Sequence, residues 1–84
     1  MPQIKLVLAG GDDKENFKSA TVATRRWGDN GDALGTELDV PVGTHTITIT
    51  KYQGASATDT IDIAATDSVI ELTVDKTGCT VEVS

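Results

Sequence analysis

The chain has 84 residues, of which seven are basic and thirteen acidic, and its formal net charge is −6. A protein that follows a phosphate backbone needs a stripe of basic side chains, whereas here Arg25-Arg26 is the only adjacent basic pair. The charge therefore argues against nucleic acid as a partner. The length predicts a single domain over residues 1–84, too small to support an active site with its surrounding shells, so we expect no enzyme.

The first half of the chain alternates between strands and loops. Residues 3–9 alternate apolar and polar side chains and predict a strand. Residues 10–16 are rich in Gly, Asp and Asn and predict a loop. Residues 17–26 hold no single register but favour a strand with a bulge. Residues 27–35 predict a turn, in which Asn30-Gly31 is expected to supply the two positive φ angles of type I′ geometry.

The clearest strand signal is the stretch THTITIT at residues 44–50. Strict alternation over this stretch places its four threonines on one face and Ile47 and Ile49 on the other. Both residue types are β-branched and favour an extended backbone. The threonine face is interpreted either as the solvated side of a sheet or as a flat binding surface for a carbohydrate or another sheet.

The rest of the chain continues in strands, and turn signals recur about every ten residues. These further strands are predicted at residues 36–42, 57–63, 68–75 and 79–83. No ten-residue segment shows a helical stripe. The fold class is therefore all-β, and we predict a single small antiparallel β-sandwich of six or seven strands, immunoglobulin-like in kind.

Alternation also predicts which side chains fill the space between the sheets. The expected core consists of Ile4, Leu6, Leu8, Leu38, Val40, Ile47, Ile49, Ile61, Ile63, Ile70, Leu72, Val74, Val81 and Val83. The single cysteine, Cys79, shares the register of Val81 and Val83 and is predicted to be a buried structural thiol. One cysteine allows no intrachain disulfide, so packing must hold the fold.

Two stretches resemble a known family: LGTELDVPVGTHTITITKYQG and TDTIDIAATDSVIELTVD, within residues 34–75. They resemble PEGA domains and the related carboxypeptidase-regulatory-like, transthyretin-like sandwiches of bacterial surface proteins. The bend at residues 52–54 reads Tyr-Gln-Gly where that family has Gly-Tyr, and the loop at residues 27–35 is longer than the family's hairpin. The resemblance implies a non-catalytic module, commonly a spacer or a binding domain, with no catalytic residue.

The candidate partner-binding surface follows the second strand region. Trp and Arg are the residues most enriched at binding hot spots, and loops beside a rigid sandwich display recognition residues. The candidates are Arg25, Arg26, Trp27, Asp29, Asn30 and Asp32. The alternative is that Trp27 caps an open end of the core with its indole edge exposed. If Trp27 binds a partner, Trp27→Ala should weaken binding and leave thermal stability nearly intact.

For the other polar residues we expect no catalytic role and no bound metal or cofactor. His45 is the only histidine and lies in register with Ile47 and Ile49, which suggests a residue at the rim of the core. Two acidic loops carry enough oxygen ligands to suggest calcium sites, but neither follows the alternating spacing that wraps a loop around the ion. Their members are Asp12, Asp13, Glu15 and Asn16 in one loop and Asp29, Asn30 and Asp32 in the other.

These features together predict a structural or interaction module that binds a protein or glycan, or that spaces other domains. The alternative is a phage virion component, such as a capsid decoration or tail protein. Only four consecutive apolar or small residues follow Lys5, too few for a signal-peptide core or a membrane span. We therefore expect no membrane insertion. The chain is expected to be a cytoplasmic product, a virion part or a domain cut from an exported chain.

Overall fold

Alternating sequence patterns form strands along most of the chain. A computed structural model describes residues 1–54 and 56–84, and the only helical element among them is one 3-10 turn, Lys14–Asn16. The strands are β1 (Gln3–Gly10), β2 (Phe17–Val22), β3 (Arg25–Gly28), β4 (Glu37–Asp39), β5 (Gly43–Lys51), β6 (Ala57–Ile63), β7 (Ser68–Asp75) and β8 (Gly78–Val83). The prediction of an all-β sandwich is confirmed.

The described residues form eight strands rather than six or seven, because the region predicted as one strand is a hairpin. Residues 17–26 fold into β2 and the start of β3, which pair in antiparallel fashion. Ala23 makes the turn with a φ of 53°, in the left-handed region. Gly, Asn and Asp are the residues that usually signal such a turn, so the sequence gives no local sign of it.

The eight strands form two sheets of four, with the orders β4-β1-β7-β8 and β3-β2-β5-β6. The pair β1–β7 is parallel, which departs from the purely antiparallel sandwich expected from sequence. Parallel neighbours need a crossover connection, and here most of the chain runs between the two strands. Local sequence pattern carries no information on a pairing between strands so far apart.

The core lies between the sheets and contains most of the residues expected there. Its buried apolar members are Ile4, Leu6, Phe17, Ala20, Val22, Trp27, Val40, Ile47, Ile49, Ile61, Ile63, Ile70, Leu72 and Val74. Four predicted members are only partly buried and pack against its periphery: Leu8, Leu38, Val81 and Val83. The core therefore includes four residues that alternation did not identify, and these come from β2 and β3.

A bulge explains why the pattern of β2 was difficult to interpret. The register of β2 against β5 shifts between Phe17 and Ser19, which confirms the predicted bulge. As a result, both Phe17 and Ala20 lie in the core, although they are three residues apart. Beyond the bulge, normal alternation resumes and Val22 is buried as well.

Candidate functional site

Trp27, the centre of the predicted binding surface, lies wholly inside the core. Its side chain has no exposed surface, so the expectation of an exposed indole edge is wrong. The register of β3 places Trp27 opposite Ala20, whose small side chain leaves room for the indole. The ring nitrogen Nε1 donates a hydrogen bond of 2.8 Å to the carbonyl oxygen of Thr36. Trp27 can therefore contribute to binding only by supporting neighbours that are exposed.

The segment that follows Trp27 is held in place by backbone hydrogen bonds. The amide of Asp32 donates to the carbonyl of Arg26 at 3.0 Å, and the amide of Gly28 donates to the carbonyl of Asp32 at 2.7 Å. The amide of Asp29 donates to the carbonyl of Lys18 at 2.9 Å. The segment therefore folds back on β3 and is tied to β2, with few degrees of freedom left to its backbone.

The turn in this segment differs from the predicted one. The amide of Gly31 donates to the carbonyl of Gly28, so Asp29 and Asn30 are the two central residues. Asn30 has a φ of 60°, whereas Gly31 has no positive φ. The prediction of a type I′ turn centred on Asn30-Gly31 is therefore wrong. The bonds to β3 shift the turn by one residue, and Asn tolerates the left-handed region better than most residues.

Five of the six candidate residues are exposed, but they do not form one patch. Arg26, Asp29, Asn30 and Asp32 are brought together by the folded segment. Arg25 is separate from them, because successive residues of a strand point to opposite faces. Its Nε donates to the carbonyl of Asp39 at 2.9 Å, which ties β3 to the strand β4 of the other sheet.

A second polar site lies at the end of the sandwich where β5 finishes, and sequence patterns alone did not point to it. Lys51 is the last residue of β5 and shares the inward register of Ile47 and Ile49. Its side chain is only 8% exposed. The ammonium group donates to Oδ2 of Asp13 at 2.9 Å and to the carbonyl of Asp75 at 2.7 Å. A buried cation requires such partners, because burial without them is very costly.

Asp13 is the charged partner of Lys51. The hydrogen bond from the Lys51 ammonium lowers the pKa of Asp13 below its ordinary value of 3.8, against the opposing effect of desolvation. A hydrogen bond from Asn16 lowers this pKa further. Asp13 belongs to one of the two acidic loops that suggest calcium, but in the fold its carboxylate is engaged by the Lys51 ammonium. Among residues 1–54 and 56–84, no group of three or more His, Cys, Asp or Glu side chains is placed to hold a metal ion.

A cleft of about 380 Å³ opens beside this ion pair. Its wall is formed by Asp13 and Lys51, by residues 53, 54 and 56 of the β5–β6 connection with the first residue of β6, and by residues 76–77 of the β7–β8 turn with the first residue of β8. We call it the Lys51 cleft. Alternation along β5 could have indicated that a lysine points inward, but the partners from two other connections could not be found from sequence pattern.

The rim of the Lys51 cleft is fixed by Asn16. Its side chain donates from Nδ2 to the carbonyl of Gln53 at 2.6 Å and accepts at Oδ1 from the amide of Gln53 at 3.1 Å. The backbone amide of Tyr52 donates to the carbonyl of Asn16 at 2.9 Å. Asn16 therefore holds the bend after β5 to the β1–β2 connection through both its backbone and its side chain.

The single histidine and the single cysteine occupy structural positions. Nε2 of His45 lies 2.7 Å from the carbonyl oxygen of Pro41, which lies in the β4–β5 connection four residues earlier. Cys79 is partly buried against the core, and desolvation raises the pKa of its thiol. A raised pKa keeps the thiol protonated at neutral pH, which agrees with the structural role expected from its register.

Comparison of the chain with family models, with curated proteins and with solved structures finds no match to any of them. Within the described residues, no helix is long and apolar enough to span a membrane.

Proposed function

We propose that the chain is a non-catalytic interaction module that binds a protein partner through the exposed side chains of Arg26, Asp29, Asn30 and Asp32. The observation that carries this proposal is the combination of a fixed backbone with charged, exposed side chains in this segment. A segment that is already ordered loses less conformational entropy when it binds. Trp27 supports it from below, because its buried indole holds β3 against Thr36.

The chemistry of this surface favours a protein over a glycan at this position. Arg26, Asp29 and Asp32 are exposed in one short segment, and the backbone of Asp32 is hydrogen-bonded to that of Arg26, so the surface presents both signs of charge. Complementary charges of this kind set orientation and specificity between proteins. Arg is also among the residues that most often dominate the binding energy of a protein interface.

No catalytic role is proposed for the only histidine, which is engaged by the carbonyl of Pro41, or for the only cysteine, which packs against the core. The resemblance to PEGA domains stays a prediction, and so does the alternative of a phage virion component.

Photo-crosslinking in the native host tests the proposal. A photoreactive amino acid at the exposed position Ala33 should capture a specific protein, which mass spectrometry then identifies. Arg26→Ala and Asp32→Ala should each reduce this capture about tenfold, as expected for the loss of a contact worth about 1.4 kcal/mol. The matched control is Glu82→Ala, which removes an exposed charge on β8. Capture that is equal in all variants at unchanged stability would contradict the proposal.

A further inference from the structure

We propose that the Lys51 cleft is a second binding site, separate from residues 25–32, and that it takes a neutral sugar residue of a glycan. The cleft volume of about 380 Å³ falls within the range of about 300–1,000 Å³ that is usual for small-molecule sites. The site does not depend on the protein interface proposed above, because the two surfaces share no residue.

The first argument is the donor and acceptor placed side by side in the wall. A lysine ammonium has three N–H donors, and two of those of Lys51 are engaged by Asp13 and Asp75. One donor is left for a ligand, since the described part of the chain supplies two acceptors. The Asp13 carboxylate, 2.9 Å away, has further lone pairs that can accept. Neighbouring hydroxyls of a sugar ring both donate and accept, so they can engage such a pair together.

The second argument is the local charge, which disfavours an anionic ligand. Two more carboxylates lie behind the wall: Oδ1 of Asp12 accepts from the amide of Lys76, and Oδ1 of Asp75 accepts from the amide of Asp12. With Asp13 these are three acidic groups against the two cations Lys51 and Lys76, which leaves one net negative charge. These five groups therefore offer a phosphate or carboxylate no net attraction, and an uncharged polyol needs none.

The third argument is the rim. Gln53 lines the cleft and is exposed. Its backbone is held by two hydrogen bonds to the side chain of Asn16, so its side chain starts from a fixed position. The side-chain amide of Gln53 offers both a donor and an acceptor, which suits the hydroxyls of a sugar ring.

The test is a titration of the isotope-labelled full chain, followed by amide chemical shifts. The probes are the methyl glycosides of glucose, galactose and mannose, N-acetylglucosamine and their disaccharides. We expect at least one probe to shift the amides of Gln53, Ser56 and Thr77 in a saturable way, with a dissociation constant of about 1 mM or tighter. The amides of Arg26 and Asp29 should not move.

Two variants make the outcome decisive. Gln53→Ala should weaken binding by about 2- to 12-fold, the range expected for the loss of one hydrogen bond, without changing the melting temperature, because Gln53 is exposed. Val42→Ala removes an exposed side chain near the opposite end of β5 and should leave binding unchanged. The proposal is overturned if no probe shifts the cleft amides, if Gln53→Ala binds as well as the parent, or if glucuronate binds more tightly than the neutral sugars.

Discussion

Replacement of Trp27 by alanine is expected to destabilise the fold severely. The side chain has no exposed surface and fills the space between the sheets opposite Ala20. Removal of a buried aromatic side chain usually costs about 3–5 kcal/mol, because the lost burial and the remaining cavity both contribute. The carbonyl of Thr36 also loses its hydrogen bond from Nε1, which places the expected cost in the upper part of that range.

This loss is large in relation to the whole stability of the domain. At about 0.05–0.15 kcal/mol per residue, a domain of this length has a free energy of unfolding of about 4–13 kcal/mol. A change of 1 kcal/mol shifts the melting temperature of a domain this size by about 4–8 °C. Trp27→Ala should therefore lower the melting temperature by roughly 12–40 °C.

Urea unfolding followed by far-ultraviolet circular dichroism measures the effect, because the variant has no other tryptophan to report by fluorescence. Trp27→Phe keeps most of the apolar volume but lacks the N–H donor, and a smaller loss of about 1–3 kcal/mol is expected. Val42→Ala, at an exposed position, should stay within about 0.5 kcal/mol of the parent. If Trp27→Ala lowers the free energy of unfolding by less than about 1 kcal/mol, the indole does not support the core.

Gly43→Ala should lower the free energy of unfolding by about 1–2 kcal/mol, and Gly11→Ala should lower it by clearly more. Both glycines have a positive φ, but a Cβ at Gly11 would lie 2.2 Å from the carbonyl oxygen of Val74, and one at Gly43 meets nothing within 4 Å. Equal losses in urea unfolding would show that this contact relaxes freely. The hydrogen bond from Lys51 lowers the pKa of Asp13 in the folded chain. The pair therefore stabilises the fold at a pH above about 3.9, the pKa of Asp13 in the unfolded chain. This stabilisation is lost as the pH falls through the lowered pKa of the folded chain. Asp13→Asn should therefore flatten the acid limb of the stability curve, and an unchanged slope would refute that role. The thiol of Cys79 should react slowly with Ellman's reagent near neutral pH in the folded chain and rapidly in urea, since burial raises its pKa; equally fast reaction in both states would contradict the burial.

The sequence indicated which residue types could form a binding surface, but it did not indicate where the fold places each of them. The exposure of Asp29, Asn30 and Asp32 agrees with their place in a Gly-rich loop, and Arg26 is exposed in the strand that leads into it. Trp27 was the exception, because an aromatic residue beside a loop has the same local pattern whether it lies outside or inside the core. The register of β3 against β2 decides whether Trp27 is exposed or buried. That register depends on a hairpin whose turn is made by Ala23, a residue type that does not usually signal a turn.

The sequence by itself determined that the chain is a β-sandwich and which face of most strands is buried. This was possible because side chains alternate across a strand with a period of two, a property of the local backbone that needs no knowledge of neighbours. Ile47, Ile49, Ile61 and Ile63 are buried for this reason.

Only the tertiary structure decided which strands are neighbours and where a site forms. The parallel pairing of β1 with β7 and the Lys51 cleft both join segments that are far apart in the chain. Lys51 contacts Asp13 and Asp75, which are 38 and 24 residues away. Such contacts depend on the order of strands in the sheets and on the ends of the connections between them, and local alternation specifies neither.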